Sequence, residues 1–211
     1  MLDYLSYIIF AHFELAIHAL LLFLTGLFVA FAVTRYNVAF LRYIPFRLYR
    51  LVLWLIGPSP SIPRLAAVIW LFNSTSMFLS IASGIHPMLP KIMGLWTGLN
   101  VGVIILSAHP SDDGPSLANI STAGSSRWRP PRTLAAICSL MVLILELPAF
   151  WYSVAMGISM GHAVRSGTAY VEAFQDRIVP YLAVIVPALL ISAIAESIAI
   201  QFATPSKPRG G

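Results

Sequence analysis

Cysteine and charge are what this sequence has least of. Its one cysteine, Cys138, lies in an apolar run, which excludes an intramolecular disulfide and a cysteine-held metal cluster. Charged residues make up 10% of the 211 residues, against 58% hydrophobic, and mean hydropathy is +0.83. A chain so short of charge cannot cover a water-facing surface, and the composition is that of an integral membrane protein. Also missing is any polar stretch long enough to fold a core alone, so residues 1–211 read as a single transmembrane domain. Catalytic patterns are absent from the apolar runs as well. No His-Glu-x-x-His or Asp pair lies in one, and Ser153 has no His or Lys at its depth, with His162 near the opposite end of the same segment. The expectation is a protein that is not an enzyme and holds no cofactor or metal.

Basic residues outnumber acids, 13 to 8, for a formal net charge of +5. They sit beside the apolar runs, where they set orientation or touch lipid headgroups, and this placement argues against nucleic-acid binding. The first apolar run has no Lys or Arg before Arg35 and is too long for the hydrophobic region of a signal peptide, although Ala30-Phe31-Ala32 imitates a cleavage site. It reads as a retained helix.

Apolar stretches predict an all-α, polytopic membrane helix bundle with five transmembrane helices, at about 8–34, 64–84, 87–107, 133–162 and 179–202. Each suffices for a hydrocarbon core of ~30 Å at ~1.5 Å per residue. The stretch 40–56 is apolar but carries Arg42, Arg47, Arg50 and Pro45 among Phe40, Tyr43, Phe46, Tyr49 and Trp54. Three arginines in a span would cost several kcal/mol, so this segment reads as an interfacial basic amphipathic helix and not a sixth span. Residues 109–132, rich in Ser, Gly, Pro and Asp, read as a cytoplasmic loop. Residues 163–177 read as an outer loop with a short amphipathic helix near 170–174.

Orientation follows from the basic residues. With the N-terminus outside, Arg35, Arg42, Arg47, Arg50, Arg64, Arg127, Arg129, Arg132, Lys207 and Arg209 are cytoplasmic, and only Lys91, Arg165 and Arg177 are outside. This positive-inside asymmetry predicts a multi-pass protein of the cell (plasma) membrane with its C-terminus in the cytoplasm.

Within the spans, Gly94, Gly98 and Gly102 recur every four residues, and Gly157 and Gly161 continue the theme. Such faces let helices approach closely. Asn73, Ser76, Ser80 and Ser83 form a polar stripe that suits bonding across to a neighbour or lining a solute path. Three acids fall inside apolar runs: Glu14, Glu146 and Glu196. An acid at the centre of a span costs roughly 2.5–3.5 kcal/mol on insertion scales, so it is expected to be paired, protonated or facing water. His18 follows Glu14 by one turn and shares its face, whereas His12 lies on another. Pro148 removes a backbone bond two residues after Glu146. The acids read first as buried elements of a structural core, next as members of a proton or ion relay, and least as metal ligands with His18, which would require Glu14, His18, Glu146 and Glu196 to converge.

The run Ile144-Leu145-Glu146-Leu147-Pro148-Ala149, followed by Gly157-Ile158-Ser159-Met160-Gly161, resembles the Glu-Leu-Pro-Ala helix of the stage II sporulation protein M family. Ile191-Ser192-Ala193-Ile194-Ala195-Glu196, closed by Thr204-Pro205, is similar to that family's last span, and Leu71-Phe72-Asn73 through the third-span glycines is a weaker likeness. The resemblance covers about residues 64–205. Where the family often has His-Gly before its Glu-Leu-Pro-Ala run, this chain has Val142 and Leu143, so Glu146 lacks that histidine as a partner. The resemblance implies a membrane scaffold or assembly subunit. Its expected partners are membrane lipids and other membrane or envelope proteins, or a second copy. The competing expectation is a transporter or permease subunit coupled through intramembrane Glu and His.

Overall fold

The computed structural model describes residues 2–57, 60–107 and 132–203, and these are helical with no strands among them. In chain order the helices are α1 (Leu2–Arg35), α2 (Ala39–Ile56), α3 (Ile62–Ala82), α4 (Met88–Ser107), α5 (Arg132–Arg165), α6 (Tyr170–Pro180) and α7 (Val186–Ala203), with a π-helical turn at Tyr181–Ile185 joining the last two. Five segments are long and apolar enough to cross a membrane: Phe10–Arg35, Ile62–Ala82, Met88–Ser107, Leu140–Arg165 and Tyr170–Gln201. The chain buries only 33–44% of each one's most apolar stretch. Residues such as Phe10, Phe28, Leu71 and Ile105 stand largely exposed, an apolar surface that suits lipid and not water. The chain is therefore a multi-pass membrane protein. Of the 109–132 loop, only Arg132 is described, and it opens α5; Pro205 also lies outside the described residues.

Local chemistry accounts for the turns. Asn37 takes a left-handed φ of 50° between α1 and α2, a conformation Asn tolerates better than most residues. Ser61 in extended conformation and Pro63 in the first turn start α3. Arg64 then donates from Nη2 to the Leu55 carbonyl (3.0 Å), tying α3 to the end of α2. His86 Nδ1 accepts from the Met88 N–H (3.3 Å) at the start of α4. Gly167, at φ 105°, follows α5, with its N–H on the Val164 carbonyl and the Thr168 N–H on the Ala163 carbonyl.

The short helix expected near 170–174 is present as α6, and it runs on through the π-turn into α7, so that Tyr170–Gln201 together is long and apolar enough to cross a membrane. No Gly or Pro interrupts Tyr170 to Val179, and the polar Glu172, Gln175 and Asp176 all point outward while Ala173 is buried, so the helix has no reason to stop. The irregularity comes later. Pro187 has no N–H for the Ala183 carbonyl, and the Val186 N–H reaches back five residues to Tyr181, which widens one turn into a π-bulge.

Helix α5 is the central element, touching α1, α3, α4, α6 and α7. Its Val154, Met156, Ile158 and Met160 are almost wholly buried against Phe23, Ile81 and Leu189. The closest pairing is α1 with α4. Along α1 the buried positions are Ala16, Ala19, Phe23, Gly26, Ala30 and Val33, alternating three and four residues apart as in a coiled-coil seam. A side-chain carbon on Gly98 would strike the Phe23 carbonyl, and one on Gly26 would strike the Leu95 carbonyl. The two backbones are in contact, as small residues permit. The α3–α5 contact is of the same kind, with Gly157 against the Ser80 carbonyl, while Gly161 lies against Pro87 in the connection between α3 and α4. Gly94 differs from its neighbours: a methyl there meets Val154 Cγ1 at 3.4 Å, an ordinary contact.

Helix α2 is not among the five spans. It lies at the edge of the bundle, with Pro45 and Ile56 buried and Phe40 and Trp54 exposed. Its Leu41 and Phe46 pack on a small core formed by Ala30 and Val33 of α1 and Leu99 and Val103 of α4.

Candidate functional site: carboxyls between three helices

Three helices bring the polar residues of the bundle together. Asn73 of α3 donates from Nδ2 to Glu146 Oε1 of α5 at 2.9 Å. Ser192 of α7, fully buried, donates from Oγ to Glu146 Oε2 at 3.5 Å. Glu196 is one turn beyond Ser192 and shares its face, on the side of α7 that carries the Ser192–Glu146 bond. Among the described residues, neither acid is in an ion pair, since the pair formed there is Arg177–Asp176. The site is the Glu146 carboxyl served by two neutral donors from neighbouring helices, with Glu196 one turn along α7.

Long bonds from aromatic residues set the register of the helices that carry this cluster. Trp70 Nε1 donates to the Val186 carbonyl (3.3 Å) and Tyr181 Oη to the Ser74 carbonyl (2.6 Å), so α3 is fastened to the last span through residues on both sides of Asn73. Tyr170 Oη donates to the Ala82 carbonyl (2.8 Å) further along α3. Pro148 sits within α5, leaving the Ile144 carbonyl without its usual helical donor near Glu146. The π-turn at Tyr181–Ile185 precedes Ser192 in the last span, so Ser192 lies between it and Glu196.

The remaining candidates are placed elsewhere. Glu14 and His18 lie on the exposed face of α1, toward the end of the bundle that carries α6, and do not join Glu146. They do not form a side-chain pair: His18 Nδ1 bonds the Glu14 backbone carbonyl at 2.9 Å. The serine stripe of α3 bonds back along its own helix, Ser80 to the Ser76 carbonyl (3.1 Å) and Ser83 to the Ser80 carbonyl (2.9 Å), so Asn73 alone of that stripe is seen to reach across. Ser153 Oγ is spent on the Ala149 carbonyl at 2.8 Å. No group of three His, Cys, Asp or Glu gathers among the described residues.

Three participants were not singled out from sequence. Ser192 was visible only as part of the Glu196 helix, four residues before the acid. Gly26 was visible as one of the small residues in the three-four spacing of α1. Arg177 reaches Ser159 Oγ (3.3 Å) and the Ala173 carbonyl (3.2 Å), and no local pattern marks it as a residue that packs inward.

Comparison with protein-family models, with characterised proteins and with solved structures finds no match.

Proposed function

We propose that this protein is a non-enzymatic assembly subunit of a membrane complex, with its N-terminus outside the cell membrane and α2 on the cytoplasmic side. The observation that carries this reading is the outer face of α1. Glu14 and His18 are exposed there, inside the span Phe10–Arg35 and beside Phe13, Ile17 and Leu21. An acid turned toward lipid costs roughly 2.5–3.5 kcal/mol at the centre of a span and less toward its ends, where Glu14 lies, and a neighbouring helix with a polar or basic group removes that penalty. The likeness of α5 and α7 to stage II sporulation protein M supports the same class, as does the lack of any stretch able to form a soluble catalytic domain. In mild detergent the tagged protein is expected to retain a stoichiometric second chain or copy. Glu14→Leu with His18→Leu should release it while leaving the thermal unfolding of the subunit unchanged. Recovery of the wild-type protein only as a lone monomer would remove the basis for the proposal.

A second reading, a proton- or ion-coupled transporter subunit, is favoured by the meeting of Glu146 with Asn73 and Ser192, with Glu196 one turn from Ser192 on the same face of α7. It predicts proton flux in proteoliposomes that is abolished by Glu146→Gln and by Glu196→Gln in folded protein. Absence of flux in the wild type, with both variants folded and still bound to the partner, would leave the acids a structural role.

A further inference from the structure

We infer that α2 carries a binding site for a phosphate-bearing anion, with a lipid headgroup and free phosphate as its two possible sources. An open cavity of about 310 Å³ lies where α2 leaves the Asn37 turn, and it is lined in part by Arg42, Arg47, Arg50, Tyr43, Phe46 and Asn37. Residues 42, 43, 46, 47 and 50 follow one another along a single helical face, so the three guanidiniums border one space and are not spread around the helix. The helix itself contains no acid. Among the described residues, no carboxylate pairs with any of the three arginines.

Two of the three arginines are also held in place. Arg42 donates from Nη1 to Asn37 Oδ1, and its guanidinium lies over the Phe46 ring with 5.5 Å to the centroid. Arg47 lies over the Tyr43 ring at 5.0 Å. Stacking on a ring face leaves the N–H groups at the edge of the guanidinium free to bond. Arg42 Nε is buried and has no acceptor among the described residues. Planar guanidiniums with unused donors and no counter-charge match the oxygens of a phosphate group, which accepts paired bonds from such forks. The exposed Phe40 and Trp54 on the same helix suit a ligand whose phosphate is attached to acyl chains, as basic pockets and amphipathic helices at a membrane surface bind headgroups. The site is independent of the α1 face and of the Glu146 cluster.

The test uses the full-length protein, delipidated in detergent, and native mass spectrometry. Phosphatidylglycerol and phosphatidylcholine are titrated separately, each with and without inorganic phosphate. The triple variant Arg42→Gln, Arg47→Gln, Arg50→Gln is compared with Arg47→Lys, which keeps charge but loses the fork. Headgroup binding predicts a preference for phosphatidylglycerol that the triple variant loses by roughly tenfold or more, that Arg47→Lys loses in part, and that inorganic phosphate leaves unchanged. Binding of inorganic phosphate that the triple variant abolishes, with no lipid preference, assigns the site to free phosphate. Equal binding of both lipids by wild type and triple variant, with no phosphate bound by either, overturns the proposal. Unchanged thermal unfolding of the variants in neutral detergent shows that the arginines act on the ligand and not on the fold.

Discussion

Replacing Gly98 with valine is expected to separate α1 from α4 and to remove most of the bundle's stability. A side-chain carbon at this position points at the carbonyl oxygen of Phe23, and the α-carbon and carbonyl carbon of the same residue also lie within 3.0 Å of it. These are backbone atoms, so no rotamer change relieves the clash and the helices must move apart. Overpacking a tight core costs typically about 1–3 kcal/mol, and here the strain falls on the most extensive helix pair in the molecule. The expected loss is about 3 kcal/mol, or the absence of a monodisperse folded species. Gly94→Ala is the control. Its methyl meets Val154 Cγ1 at 3.4 Å and gains helix propensity, so stability should remain within about 1 kcal/mol of wild type. Reversible unfolding in bicelles, or the thermal midpoint by fluorescence-detected size exclusion, separates the two. Equal tolerance of both substitutions would mean that α1 and α4 are not in backbone contact.

Asn73→Leu is expected to be the second costly change, and its cost should depend on Glu146. The asparagine supplies the shorter of the two hydrogen bonds to that carboxyl, 2.9 Å against 3.5 Å from Ser192. Removing one member of a buried bonded pair leaves the other unsatisfied, at about 1–3 kcal/mol, whereas removing both with apolar groups of similar shape is close to neutral. Asn73→Leu and Glu146→Leu should therefore each destabilise, and the double variant should recover most of the loss, giving a coupling of about 1 kcal/mol or more. Additive effects would show that the two side chains do not meet. This cycle reads stability alone, so it tests the site's geometry whether or not the acids carry a proton.

The five spans were legible in sequence because twenty apolar residues in a row leave a chain few alternatives in a membrane. The segment 40–56 was legible as a helix, α2, and its three arginines keep it out of the five candidate spans by composition. The start of the last span was not. Glu172, Asp176 and Arg177 interrupt the hydropathy but not the helix, because backbone propensity continues where hydropathy ends.

Depth in a span was legible for the acids, but direction was not. Glu146 and Glu14 look alike in sequence, and only the packing of α3, α5 and α7 turns the first onto Asn73 and Ser192 and leaves the second on the outside. The glycines of α4 made the same point in reverse. Four-residue spacing marked Gly94, Gly98 and Gly102 as one face, yet the partner glycine, Gly26, and the crossing with α1 determine which of them must lack a side chain.

The claim at the centre of this account is that the Glu14–His18 face of α1 is covered by another chain. Site-specific photocrosslinking in native membranes tests it most directly, with the probe placed in turn at Ile17 and Leu21 on that face and at Leu71 of α3 and Ile105 of α4 as exposed controls. The account predicts a discrete protein adduct from Ile17 and Leu21, reduced by Glu14→Leu with His18→Leu, and none from Leu71 or Ile105. Adducts with lipid alone at all four positions would contradict it.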